Sequence, residues 1–77
     1  PATHVLVVRH ADRVGVLAAI LTALKEADLN VQDMQNVIFD GAQAACARIA
    51  IDRLPPQDTL DRISAQPHIF AVSCAVT

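Results

Sequence analysis

His10, Asp12, Arg13 and Gly15 crowd into one short stretch, the densest set of polar side chains beside a glycine in the chain. An apolar run reads as a strand before them, and the longest helical pattern follows them. The backbone N–H groups at the start of a helix have no partner within it, and the helix dipole is positive there. Such a junction suits a carboxylate or another anion. The N–H groups of Gly15 and Val16 are expected to be free for that role. Asp12 beside them supplies the opposite sign and could accept from an ammonium. Each residue also has an ordinary reading. Asp12 would serve as an N-cap, His10 as a solvated loop residue, Asn30 as a turn residue, and Arg9 as a surface partner of Asp12.

These groups need a frame. The first strand is read from Thr3 to Arg9, where Val5–Val8 form the unbroken β-branched run of a central strand. The helical pattern runs from Val14 to Asp28, with Leu17, Ile20, Leu21 and Leu24 as one apolar stripe. Leu29-Asn30 is the turn out of it, with Asn30 suited to the left-handed conformation. Val31–Phe39 alternates imperfectly around Asp33, Gln35 and Asn36, which marks an edge strand with a bulge. Asp40-Gly41 signals a hairpin. Ala42–Asp52 is the third strand. Pro56 fits the first position of a second helix reaching Ala65, and His68–Val76 is the fourth strand. The order β-α-β-β-α-β is that of a split βαβ, ferredoxin-like sandwich, class α+β. Right-handed crossovers then give an antiparallel sheet of order 4-1-3-2 with both helices on one face.

The 77 residues suffice for one domain, taken as 1–77. A chain of this size hides only about 60–65% of its unfolded surface. With 53% hydrophobic but only 3% aromatic residues, it must build its core from Val, Ile, Leu and Ala. The apolar excess points to a partner chain. Six scattered basic residues and a net charge of −2 argue against a nucleic-acid surface. No run is long enough to span a membrane. Cys46 and Cys74, without a CxxC, suggest no disulfide framework, and a cytoplasmic location is expected. Strand spacing puts them too far apart for a bond, and both are expected to be small buried residues. The chain begins at Pro1, either after Met removal or as a piece of a longer protein. Pairing of the first and last strands would bring His10 near His68, but two His residues without a third ligand are a weak case, and no metal site is expected.

Arg13-Val14-Gly15-Val16-Leu17 is similar to the Arg-Pro-Gly-Val-Leu of the ACT domain, and Asn30-Val31 resembles that family's lead into its second strand. The likeness covers nearly the whole chain. It is nearest to the C-terminal regulatory ACT domains of the D-3-phosphoglycerate dehydrogenases, NAD-dependent oxidoreductases of serine synthesis. The resemblance implies a regulatory module, not itself an enzyme and without a cofactor, that binds a small serine-like amino acid between two side-by-side copies. The implied ligand-binding residues are His10, Asp12, Gly15, Val16, Leu17 and Asn30. The implied partners are a second copy, the amino acid, and a linked or separate dehydrogenase domain. Asp12 stands where the serine-binding proteins have Asn, and Val14 where the family often has Pro. The alternative is an ACT-like dimerisation module without a ligand. A nucleophile with an adjacent base, a P-loop and a cofactor fingerprint are all missing from the sequence.

Overall fold

The computed structural model describes residues 4–39, 41 and 43–76. Thr3 of the first expected strand, Asp40 of the expected turn and Ala42 of the third strand lie outside the described residues, as do the two ends of the 1–77 span. The elements follow in the order β1 (His4–Ala11), α1 (Val16–Glu26), β2 (Val31–Ile38), β3 (Ala44–Ile51), α2 (Gln57–Ser64) and β4 (Ile69–Val76). They form one sheet of order β2-β3-β1-β4, antiparallel at every pairing. This is the expected ferredoxin-like arrangement.

Alternation along the strands decides which face is covered. Leu6, Val8 and His10 of β1 point inward, as do Ala45, Ala47, Ile49 and Ile51 of β3. Val16, Ile20, Ala23 and Leu24 of α1 and Ile63 of α2 close over them, so both helices lie on that face. The stripe of α1 is rotated from the expected one. Val16 and Ala23 are fully buried, whereas Leu17 and Leu21 are only partly so. Small Ala45 and Ala47 leave room for the helix above them.

The edge strand β2 carries the bulge expected of it, with Gln32 as the extra residue between Val31 and Asp33. A second bulge, Phe70, interrupts β4 opposite Arg9 and His10. Gly41 takes a φ of +73° in the turn between β2 and β3, the left-handed geometry that hairpins favour there. The helix boundaries are tighter than the sequence suggested. Pro56 is the N-cap of α2 and not its first helical residue. At the end of α1 the left-handed residue is Asp28, with φ +60°, and not Asn30. Leu29 N–H donates to Leu24 C=O at 3.0 Å and Asp28 N–H to Lys25 C=O at 3.0 Å, the paired bonds of a Schellman stop. Leu29 is buried there, which is why the chain turns at Asp28 and not, as turn preference alone implies, at Asn30.

Candidate ligand site

The β1–α1 loop is held from both sides of the sheet. Ala11 N–H donates to His68 C=O at 2.8 Å, Asp12 N–H to Gln43 C=O at 2.8 Å, and Arg13 N–H to Ala11 C=O at 2.9 Å. Asp12 is not the N-cap. That position belongs to Gly15, whose φ of +87° is left-handed and whose capping uses no side chain. The helix starts later than expected because Gly15 reverses the chain after the extended loop. Val16 N–H, expected to be free, has a long bond of 3.4 Å to Arg13 C=O. Among the described residues, the N–H groups of Gly15, Leu17 and Ala18 find no backbone acceptor outside the helix. They form a corner of backbone donors at the start of α1. An open groove of about 260 Å³ lies against it, walled by Val14, Val16, Ala19, Gln66, Pro67 and His68.

His10 is not a solvated loop residue. It is 2% exposed. Its Nδ1 lies 2.8 Å from Ala11 O, and its Nε2 lies 2.9 Å from Asn36 Oδ1. Asn36 was not singled out in the sequence, although a signal was present. Register pairs Met34, Asn36 and Ile38 with inward residues of β3, so Asn36 is a polar side chain on an apolar parity. His68, which caps the same end of the sheet, is exposed with φ +71°. The His10 ring turns inward, toward Asn36. Among the described residues no cluster of three metal-ligating side chains occurs. Asp12 is exposed, and no ion pair joins it to Arg9, which sits on the uncovered face of the sheet. Cys46 and Cys74 are free thiols, half-buried and not fully buried as expected. Cys46 pairs with Arg9 and Cys74 with Leu6, so they lie on opposite faces of the sheet.

Asn30 stands elsewhere. Its backbone is fixed by Asp52: Asn30 N–H donates to Asp52 Oδ1 at 3.1 Å, and Asp52 N–H donates to Asn30 C=O at 3.2 Å. Its side chain is exposed and borders a separate open groove with Lys25, Asp28 and Arg53. Both β1 and β2 run antiparallel to β3, so they run parallel to each other. The start of β2 is therefore at the opposite end of the sheet from the end of β1, roughly 23 Å away at ~3.3 Å per residue. Within one chain, Asn30 cannot join His10, Asp12 and Gly15.

No curated protein matches the chain. Residues 4–35 match the ACT domain family. That span holds β1, the loop, α1 and most of β2. Solved structures extend the likeness of fold over the whole chain. The ACT domain from the GTP pyrophosphokinase of Chlorobium tepidum superposes with a TM-score of 0.68 at 14% identity, covering 97% of this chain and 85% of that one. The C-terminal domain of the MgtC protein from Mycobacterium tuberculosis gives 0.78 at 14% identity, covering 99% and 87%. A homoserine dehydrogenase from Thiobacillus denitrificans gives 0.74 at 16% identity, covering 99% of this chain but 17% of its own. The chain thus has an ACT-type fold, which in that dehydrogenase is a small part of a longer polypeptide.

Proposed function

We propose that this ACT-type domain is a regulatory module that binds a small, serine-like amino acid between two copies of itself. The observation that carries the reading is the parallel run of β1 and β2. It separates the β1–α1 loop from Asn30 in one chain, and a two-fold pairing through the β2 edges would bring the loop of one copy to Asn30 of the other. The β2 edge is suited to such pairing. Val37 and Ile38 at its end are more than half exposed. The ligand carboxylate would lie on the free N–H groups of Gly15 and Leu17, with Val16 lining the groove. Its ammonium would face Asp12 and the side-chain oxygen of the partner's Asn30. His10 would support the site from beneath.

The motif Arg13-Val14-Gly15-Val16-Leu17 with Asn30-Val31 also supports a place in an NAD-dependent D-3-phosphoglycerate dehydrogenase of the cytoplasm. The presence of this fold within a homoserine dehydrogenase makes attachment to a dehydrogenase domain a reasonable architecture. The coding sequence upstream of Pro1 tests that link: a G-x-G-x-x-G strand-turn-helix unit would support it, and an unrelated domain would end it.

A second reading, a dimerisation module without a ligand, draws on two observations. The ring of His10 is already engaged at both nitrogens, and Asp12 would repel a carboxylate placed close to it. Calorimetric titration with serine, glycine and alanine separates the two readings. Saturable heat with one site per chain supports the sensor, and no heat with any of them in a dimeric sample supports the module.

A further inference from the structure

Asn30 leads into β2 at a weakly supported end. β2 is an edge strand, bonded only to β3. Its ladder slips at Gln32, between the pairs Val31–Ile51 and Asp33–Ala50. A bulge leaves its extra residue unpaired and bends the strand. Only the Val31–Ile51 pair therefore lies between that break and Asn30. Strand ends of this kind open locally at little cost. On its other side Asn30 follows Leu29, which is buried where α1 stops.

Asp52 secures this end. It follows Ile51, the last residue of β3, and meets Asn30 twice. Asp52 N–H donates to Asn30 C=O at 3.2 Å, and Asn30 N–H donates to Asp52 Oδ1 at 3.1 Å. The first bond is backbone to backbone, so any residue but Pro could make it. The second needs a side-chain acceptor of this reach, and so depends on the residue type. The Asp52 carboxylate has a neighbour of its own. Arg53 Nε lies 3.8 Å from Oδ1, and the far end of the guanidinium donates to Asp28 C=O, at the left-handed residue that ends α1. Asp28, Asn30, Asp52 and Arg53 line one open groove. The clasp ties the chain on both sides of Asn30 and leaves its side chain exposed.

We infer that Asp52 is a positioning residue of the amino-acid site: its carboxylate fixes the backbone of Asn30 and so holds the Asn30 side chain ready for the ligand. The inference rests on the amino-acid-binding reading and deepens it. Asp52 does not need to touch the ligand. Its effect is preorganisation, because an Asn30 already held loses less freedom when the ligand arrives. Arg53 has the smaller part. It is exposed, and its ion pairs with Asp28 and Asp52 at 3.9 and 3.8 Å belong to a class that contributes little.

Nuclear magnetic resonance of the uniformly ¹⁵N-labelled chain, without ligand, tests the clasp. In Asp52→Ala the Asn30 N–H should exchange faster with solvent, and its order parameter should fall toward the flexible range below about 0.6. Val5–Val8 should keep the rigid value near 0.85 in the same sample. An Asn30 as ordered in Asp52→Ala as in the native chain overturns the inference. In the second arm, serine is titrated calorimetrically into the native chain, Asp52→Ala and Asp52→Asn. Asp52→Ala should bind about tenfold more weakly, the scale of one hydrogen bond to a charged group, with its melting temperature nearly unchanged. Asp52→Asn keeps a side-chain oxygen acceptor at the same reach and should recover most of the affinity. Equal affinity in Asp52→Ala, or an Asp52→Asn as weak as Asp52→Ala, overturns the role in binding. An affinity loss that comes with a collapse of the melting temperature does the same, since Asp52 is then a merely structural residue. Absence of serine binding by the native chain counts against the amino-acid reading and removes the role in binding with it, while the resonance arm still decides whether Asp52 holds Asn30.

Discussion

At the scale of single residues, the position of Asp12 has the most direct consequence. It is exposed, free of the helix cap it was expected to make, and next to unpartnered N–H groups. Asp12→Ala should therefore leave the melting temperature nearly unchanged and weaken amino-acid binding by about tenfold or more, the scale of a hydrogen bond to a charged group. Parallel calorimetry and thermal unfolding check this. A large loss of stability with unchanged affinity would make Asp12 a structural residue. Asp12→Asn should favour serine, since an amide does not repel the carboxylate. Cys74 offers a different measurement. Burial against the core pushes its thiol above the ordinary range. A pKa raised in the folded state favours the protonated form, so its stabilisation is complete below the unfolded-state thiol pKa and fades as pH rises through the folded one. Urea unfolding between pH 8 and 10 should fall more steeply with pH for the native chain than for Cys74→Ala.

Elements carry most of the folding free energy. Ile20 of α1 is fully buried between the helix and the sheet. Ile20→Ala should cost about 2–5 kcal/mol, a large share of the roughly 4–12 kcal/mol expected for a domain this size, and a shift of the urea midpoint reads it. Hydrogen exchange should rank the strands. Amides of Val5–Val8, paired on both sides, should outlast those of Val31–Val37 at the edge, and the reverse order would contradict the sheet topology. Much of this was legible before the structure. The continuous run Val5–Val8 announces a strand flanked on both sides, and the polar interruption at Asp33–Asn36 announces an edge. Local details were less so. Asp12 and Gly15 both satisfy capping preferences, and only the long-range bonds from Ala11 to His68 and from Asp12 to Gln43, each just ahead of a neighbouring strand, show that the loop stays extended until Gly15. The burial of His10 was hidden for the same reason: its partner is 26 residues away, and an isolated His says nothing about the parity of a distant strand.

For the whole molecule, the uncovered β2 edge predicts association. Sedimentation at micromolar concentration should give a dimer of the 8.2 kDa chain, and Val37→Lys should yield a folded monomer, since charge on an edge strand blocks pairing. An unaltered dimer would move the interface elsewhere. The parallel run of β1 and β2 has a further consequence, which belongs to genetics. In the proposed two-fold pair, each site would borrow its loop from one copy and its Asn30 from the other. Asp12→Ala destroys the first half-site and Asn30→Ala the second, so a pure population of either is inactive in binding. A mixed pair concentrates both lesions in one site and leaves the other whole. Equal amounts of the two defective chains, unfolded and refolded together, should recover about a quarter of the sites. Two alleles that each fail alone would then complement within a single gene.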